Sequence, residues 1–249
     1  MPLSKNKIKY IQSLKQKKYR SEHNTFVAEG SKLIFDLLPH LPCQLLIITE
    51  EVKDTMPNHE AEETIVATRV EIKKASHLTT PPDAIAVFYQ AKHNISQIDL
   101  THKLSLILDG VQDPGNLGTI IRIADWFGIE NVICSNDTVD VYNTKTVQAT
   151  MGALSRVNIH YANIIDLITQ YNTSPIYGTF LNGENIYTET LKPEGFIVMG
   201  NEGNGIRPEV EKLITHQLYI PNFSTNSTTS ESLNVAVATA VVCSEFRRR

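Results

Sequence analysis

Apolar and polar positions follow two rhythms along this chain. Ile8, Ile11 and Leu14 recur at the spacing of one helical face, which predicts a short amphipathic helix near the N-terminus. "NTFVAEGSKLIFDLL" (24–38) predicts a short strand and then a helix from about Gly30 to Leu38. Three apolar runs of strand length follow, "QLLIIT" (44–49), "ETIVAT" (63–68) and "AIAVFYQ" (84–90), with a short helix "VEIKKASHL" (70–78) between the last two. These elements make one small α/β unit. Residues 91–101 are polar and mixed and read as a linker. From Leu104 strand and helix alternate again. Strands are predicted near 104–108, 131–134, 157–160, 175–180, 196–200 and 217–220, and helices near 117–128, 144–154, 163–171, 207–214 and 231–246. Such alternation argues for a mostly parallel sheet covered on both faces. There is no internal repeat, and "NFSTNSTTSES" (222–232) reads as a polar loop.

Composition changes this picture little, but charge changes it locally. The 249 residues suit one large or two smaller domains, and 41% apolar with 20% charged residues is ordinary for a globular chain. The apolar run Val235 to Cys243 is too short to span a bilayer, and the lysine-rich N-terminus does not read as a secretory signal. Cys43, Cys134 and Cys243 are an odd number with no C-x-x-C pair; Cys43 and Cys134, in or beside predicted strands, read as buried thiols rather than metal ligands or disulfides, which fits a reducing cytoplasm. No His/Cys cluster has metal-ligand spacing, so no metal is expected. Net charge is −4, yet Lys5, Lys7, Lys9, Lys15, Lys17, Lys18 and Arg20 stand in the first 20 residues without an acid, and the last three residues are arginine. Basic ends on an acidic body point to a localised polyanion contact, although a lysine-rich helix is also an ordinary solvated face.

Three loops leaving apolar strands of the second unit carry the candidate chemistry: "DGVQDPGNLGTIIR" (109–122), "MGNEGNGIRPEV" (199–210) and "IPNFSTNSTTSESLNVAVA" (220–238). The first has the strand–glycine loop–helix order of a phosphate cradle, but neither G-x-G-x-x-G nor Gly-Lys-Ser/Thr. It offers Asn116 and Arg122 instead. Taken singly, Gly115 and Gly118 serve a turn, "NEGNG" is ordinary turn composition, and Ser230 or Ser232 is a plain helix cap. Jointly, loops leaving parallel strands share one sheet edge, where open α/β sheets bind ligands.

These three stretches resemble, in order and spacing, the motifs of the SpoU (TrmH) family of RNA ribose 2′-O-methyltransferases, in the SPOUT class. "TVQATMGALSRV" (146–157) is similar as well, and "FVAEGSKLI" (26–34) with "HLTTPPDAIAVF" (77–88) resembles the small RNA-binding domain often fused ahead. The stretch between Pro221 and Glu231 is longer than the usual connector and lacks its glycine. The resemblance implies a small α/β RNA-binding domain over 1–92 and, over 100–249, a trefoil-knotted α/β methyltransferase domain with a mostly parallel sheet. It further implies S-adenosylmethionine (SAM) as cofactor, RNA as substrate and a homodimer with active sites at the subunit interface. Ribosomal RNA of the large subunit is the expected target. Transfer RNA, a base-methylating SPOUT enzyme and a non-catalytic ribosome-assembly protein are the alternatives.

By the same resemblance Gly200, Ile220 and Leu233 hold SAM, with Thr179, expected to end the strand before motif two, as a further candidate. Glycine at 200 would let the backbone approach the adenine closely. Arg122, Asn116, Glu202, Ser232 and Asn234 form the implied catalytic set. Arg122 would stabilise a forming alkoxide rather than surrender its own proton, and Glu202 would either accept that proton or orient Asn116 or Arg122. Six residues at about 100° each put Asn116 and Arg122 on different helical faces, so Asn116 is expected to act from the loop.

Overall fold

The structure of the protein, a computed structural model, describes residues 3–57, 60–91, 95–224 and 231–248. In chain order the first elements are α1 (Lys5–Ser13), α2 (Lys17–His23), β1 (Thr25–Glu29), α3 (Ser31–Leu37), β2 (Cys43–Ile48), α4 (Glu50–Lys53), β3 (Ala61–Val66), α5 (Arg69–Ala75) and β4 (Ala84–Tyr89). There follow β5 (Leu104–Leu108), α6 (Pro114–Trp126), β6 (Asn131–Ser135), α7 (Thr144–Thr150), β7 (Asn158–Ala162) and α8 (Ile164–Gln170). The last are β8 (Ile176–Asn185), β9 (Gly195–Met199), α9 (Pro208–Glu211), β10 (His216–Tyr219) and α10 (Val235–Arg248). Two compact units result, one of Met1–Lys92 with Asp140–Arg156, the other of His93–Val139 with Val157–Arg249.

The first unit is built on a four-stranded sheet ordered β1-β4-β2-β3. β4 runs antiparallel to β1 and β2, and β3, parallel to β2, is a largely exposed edge. Val27, Leu45, Ile47, Ile85 and Val87 alternate onto one face, where Ile11 of α1, Leu14 just after it and Ile72 of α5 bury. Thr68 and Glu71 start α5 with a reciprocal capping box, a signature present in the sequence as T-x-x-E. Phe26 packs on Phe88 and, with ring centroids 4.8 Å apart, on Tyr142 from the 140–156 segment. Apolar spacing does not reveal α2, because Tyr19 is the only apolar-bodied residue of its seven and the only buried one is Arg20. That guanidinium is 2% exposed, donates to Asp140 Oδ2 at 2.5 and 3.1 Å, and donates to the carbonyls of Leu14 and Lys15. Arg20 is therefore part of the core of this unit. Lys7 pairs with Glu63, while Lys5, Lys9, Lys15, Lys17 and Lys18 stay exposed.

The second unit carries six strands ordered β10-β8-β9-β5-β6-β7, every neighbouring pair parallel. β5, β6 and β7 succeed one another outward, and the chain then crosses to the other side of β5. The switch point lies between β5 and β9. Ile107, Ile133, Ile176, Phe196 and Val198 bury beneath α8 and α9. Between Gln217 and Leu218 the register of β10 against β8 jumps, so that Gln217 opposes Gly178 and Leu218 opposes Glu184. Gly183 belongs to that irregularity: a Cβ there would stand 2.6 Å from the Gln217 carbonyl oxygen, so only glycine fits.

Several boundaries differ from the periodic reading. α6 begins at Pro114, not Leu117, because Asp113 accepts from the Asn116 amide as N-cap and Pro114 takes the first turn. α10 begins at Val235, not 231, because Asn234 is its cap. The helix expected over 207–214 is only Pro208–Glu211, tightened by three-residue bonds from Leu213 and Ile214 back to Val210 and Glu211. The C-terminal arginines are also engaged in the fold. Arg247 donates to the carbonyls of Phe127 and Gly128 at the end of α6, and Arg248 pairs with the buried Glu245; Arg249 lies outside the described residues. All three cysteines are buried free thiols; burial pushes Cys43 and Cys243 up to about 12, and pushes Cys134 up as well. Among the described residues no helix is long and apolar enough to cross a membrane.

Candidate active site

Toward the C-terminal edge of the parallel sheet lie four neighbouring strands. They carry, in spatial order, Ile220 just past β10, Thr179 in β8, Gly200 just past β9 and Asp109 just past β5. Glu202, on the loop after β9, accepts from the amides of Gln112 (3.2 Å) and Asp113 (3.1 Å), and its Oε1 accepts from Asn116 Nδ2 at 3.0 Å. Asn116 Oδ1 in turn accepts from Asn234 Nδ2 at 2.9 Å, and Asn234 Oδ1 caps α10 through the amides of Ala236 and Val237. A side-chain relay thus runs Glu202–Asn116–Asn234 through all three loops. Asn116 lies in the first turn of α6 and not in the loop before it, since the helix starts two residues earlier than its position.

The relay fixes the ionisation of Glu202. Crowding by neighbouring protein pushes its pKa up, but hydrogen bonds from the Asn116 side chain and from the backbone outweigh this, and the carboxyl lies below its usual range. Glu202 is consequently an ionised acceptor already committed to four donors, the fourth being Asn201 Nδ2 at 3.5 Å, a poor base that orients Asn116. It makes no hydrogen bond to Arg122. Arg122 is exposed on α6 and has no hydrogen bond or ion pair among the described residues. Ser232 is likewise exposed and unbonded there, and the expected serine cap of α10 is Asn234 instead; Ser230 lies outside the described residues. The relay therefore joins three of the five expected catalytic residues and leaves two facing solvent.

The expected cofactor residues occupy the same edge. Ile220 is half-buried and Leu233 is 51% exposed, both apolar surfaces near the strand ends. Thr179 does not end its strand, which runs on to Asn185, but sits where the β8–β10 register breaks; its Oγ1 reaches Met199 Sδ at 3.8 Å. Gly200 is also constrained by its own loop. A Cβ there would lie 2.3 Å from the Gly205 carbonyl carbon and 2.4 Å from the Ile206 nitrogen, so glycine is required by closure of its own loop. Uncovered apolar side chains beside strand-end backbone suit a flat aromatic ring and a thioether-like chain. Among the described residues no group of three His, Cys, Asp or Glu could hold a metal ion.

Spacing gave no sign of Asp109 and Arg207, which form a tight ion pair under this site, Nη2 to Oδ1 2.5 Å, with the Asp109 side chain fully buried. Hydrogen bonding to Asp109 holds the Arg207 guanidinium above its ordinary pKa.

Comparison with known proteins identifies the family. The SpoU rRNA Methylase family model matches residues 103–244, and that of the MRM3-like substrate binding domain matches residues 5–86. Over 246 residues the chain is 29% identical to the 23S rRNA (guanosine(2553)-2′-O)-methyltransferase RlmP of Bacillus subtilis (strain 168), covering 97% of this chain and 96% of that protein. A structure from Porphyromonas gingivalis assigned to the TrmH family of RNA methyltransferases superposes with a TM-score of 0.88 at 40% identity, over 99% of this chain and 98% of its own. An AdoMet-bound rRNA methyltransferase from Sinorhizobium meliloti gives 0.85 at 30% identity, over 100% and 97%.

A depressed carboxyl pKa predicts a specific acid response. Its stabilisation is complete above the ordinary glutamate value of about 4.3 and is lost as pH falls through the lower folded value. Wild type should therefore exceed Glu202→Gln in denaturant midpoint by a constant margin from pH 7 down to about 4.3, and the margin should shrink below that. An unchanged margin at about pH 3 would show that ionised Glu202 is not what holds the relay.

Proposed function

The chain belongs to the SpoU rRNA methylase family, and from that premise we propose that it transfers a methyl group from SAM to a ribose 2′-hydroxyl of ribosomal RNA. The observation that carries this reading is the Glu202–Asn116–Asn234 relay, which locks three loops at the switch point of a parallel sheet while Arg122 stays unpaired beside them. When bound, SAM supplies a methyl group on a sulfonium, open to in-line displacement. Gly200 and Thr179 would hold it with backbone and hydroxyl groups, and Ile220 and Leu233 with apolar surface. The relay orients the Asn116 amide, whose donor and acceptor are both committed, so that its loop does not reorganise during turnover. Arg122 offers a planar fork of donors to a backbone phosphate or to the developing 2′-oxyanion, and it keeps its own proton. Ser232, exposed and unbonded in the described structure, is available to the substrate. Exposed Lys5, Lys9, Lys15, Lys17 and Lys18 on or beside α1 and α2 give the first unit its share of the RNA backbone.

The reading extends to a homodimer formed through the second unit, with its C-terminal segment threaded as the family resemblance implies. Trp126, the single tryptophan, ends α6 with 84% of its surface exposed, and Val237 on α10 is 51% exposed. α6 and α10 pack on each other. Arg122 lies one turn before Trp126 on the same side of α6. A second copy covering that side would bury the tryptophan and enclose the arginine stem, which explains why one face of α6 carries both.

Two outcomes are expected. Arg122→Ala should keep SAM affinity by calorimetry and thermal stability, yet lower methyl incorporation into rRNA by at least about a hundredfold, with Arg122→Lys restoring little. Near-normal turnover in Arg122→Ala, or loss of SAM binding along with activity, would contradict the role given to it. Trp126→Glu should sediment as a monomer and lose turnover, whereas an active wild-type monomer at assay concentration would rule out the dimer.

A further inference from the structure

The loop from Gly200 to Ile206 is a small rigid block. Asn201 and Gly205 exchange backbone hydrogen bonds of 2.9 and 3.0 Å, and Asn201 Oδ1 accepts from the amides of Gly203 and Asn204 at 2.9 and 3.1 Å. The backbone of Gly205 and Ile206 fills the space beside Gly200. A block so closed does not flex within itself. Its placement is set at its two stems, Met199–Gly200 on one side and Ile206–Arg207 on the other.

One residue holds both stems. The Asp109 amide donates to the Met199 carbonyl at 2.9 Å. The Asp109 carboxylate accepts from the Arg207 amide at 2.8 Å through Oδ2 and from Arg207 Nε at 2.6 Å through Oδ1. Arg207 Nη1 also approaches Asp137 Oδ2 at 3.6 Å, at the turn after β6. A fully buried carboxylate without its cation is strongly unfavourable, so the pair resists opening once formed. Gly110, next in sequence, adds a third tie by accepting from Asn201 Nδ2 at 2.7 Å.

We propose that Asp109 and Arg207 are positioning residues for methyl transfer. They clamp the stems of the 200–206 loop so that Gly200 faces the cofactor and Glu202 meets Asn116. The inference rests on the methyltransferase reading for its kinetic consequence, but the clamp itself is a property of the loop. Neither residue is assigned contact with substrate or cofactor. Displacing a stem by about 1 Å would carry Glu202 off Asn116 and loosen the relay, and misplacements of that size are costly to catalysis.

Arg207→Gln is the variant of choice, because that side chain is 45% exposed and its loss disturbs packing less than a change at buried Asp109. Hydrogen exchange of the Gln112 and Asp113 amides, which donate to Glu202, should accelerate by at least about tenfold relative to wild type, with amides of β6 and β7 unchanged. At temperatures where the variant is folded, kcat should fall by at least about tenfold and KM for SAM should rise. Arg207→Lys, which keeps the charge but not the fork, should fall between the two. A lower melting temperature with wild-type kcat, KM and loop exchange would overturn the proposal and leave the pair a merely structural contact. An inactive wild type would instead strike at the methyltransferase reading, and the exchange arm would still decide whether the clamp exists.

Discussion

Everything at the sheet edge depends on a single side-chain amide, that of Asn116. An asparagine has donors and acceptors on one small plane, and here Nδ2 serves the loop after β9 while Oδ1 serves the start of α10. An ionised carboxylate in its place could not satisfy both neighbours, because it only accepts, whereas Glu202 needs a donor and Asn234 Nδ2 needs an acceptor. The three loops come from distant parts of the chain, with 86 residues separating Asn116 from Glu202 and 118 separating it from Asn234. Asn116 owes its own position to Asp113 and Pro114, which fix where α6 begins.

Charge is distributed around this point so that each group has one task. Glu202 is held ionised by donors and so acts as an anchor. Asp109 is neutralised by Arg207 below the surface. Arg122 alone of these carries its charge outward with no partner among the described residues, the state required of a group that must meet an anionic substrate. The same economy appears in the first unit, where Arg20 is spent on Asp140 and the surrounding lysines remain exposed.

Most strands were readable because they are apolar runs bounded by polar turns, the edge strands β3 and β10 being more polar, and the six of the second unit fall near their expected places. Helix starts were less readable. The apolar period of α6 begins only at Leu117, although Asp113-Pro114 already marked the true start. Motif likeness singled out Asn116, Glu202 and Asn234, but not that they bond to one another, because a relay is a fact of three dimensions. Asp109 and Arg207, 98 residues apart, lie in two of the motif-like stretches, yet nothing in the sequence marked them as a pair. Nor does apolar spacing tell which core a helix joins, and α7 packs in the first unit although it lies between strands of the second.

The central claim is chemical, a methyl group placed on a ribose oxygen, and the product tests it directly. Ribosomal RNA incubated with the protein and methyl-labelled SAM should be hydrolysed with alkali and its fragments separated. A methylated 2′-oxygen cannot attack the adjacent phosphate, so the account predicts that the label resides in an alkali-resistant dinucleotide. Label recovered in mononucleotides would place the methyl on a base, and no incorporation into ribosomal RNA would contradict the account altogether.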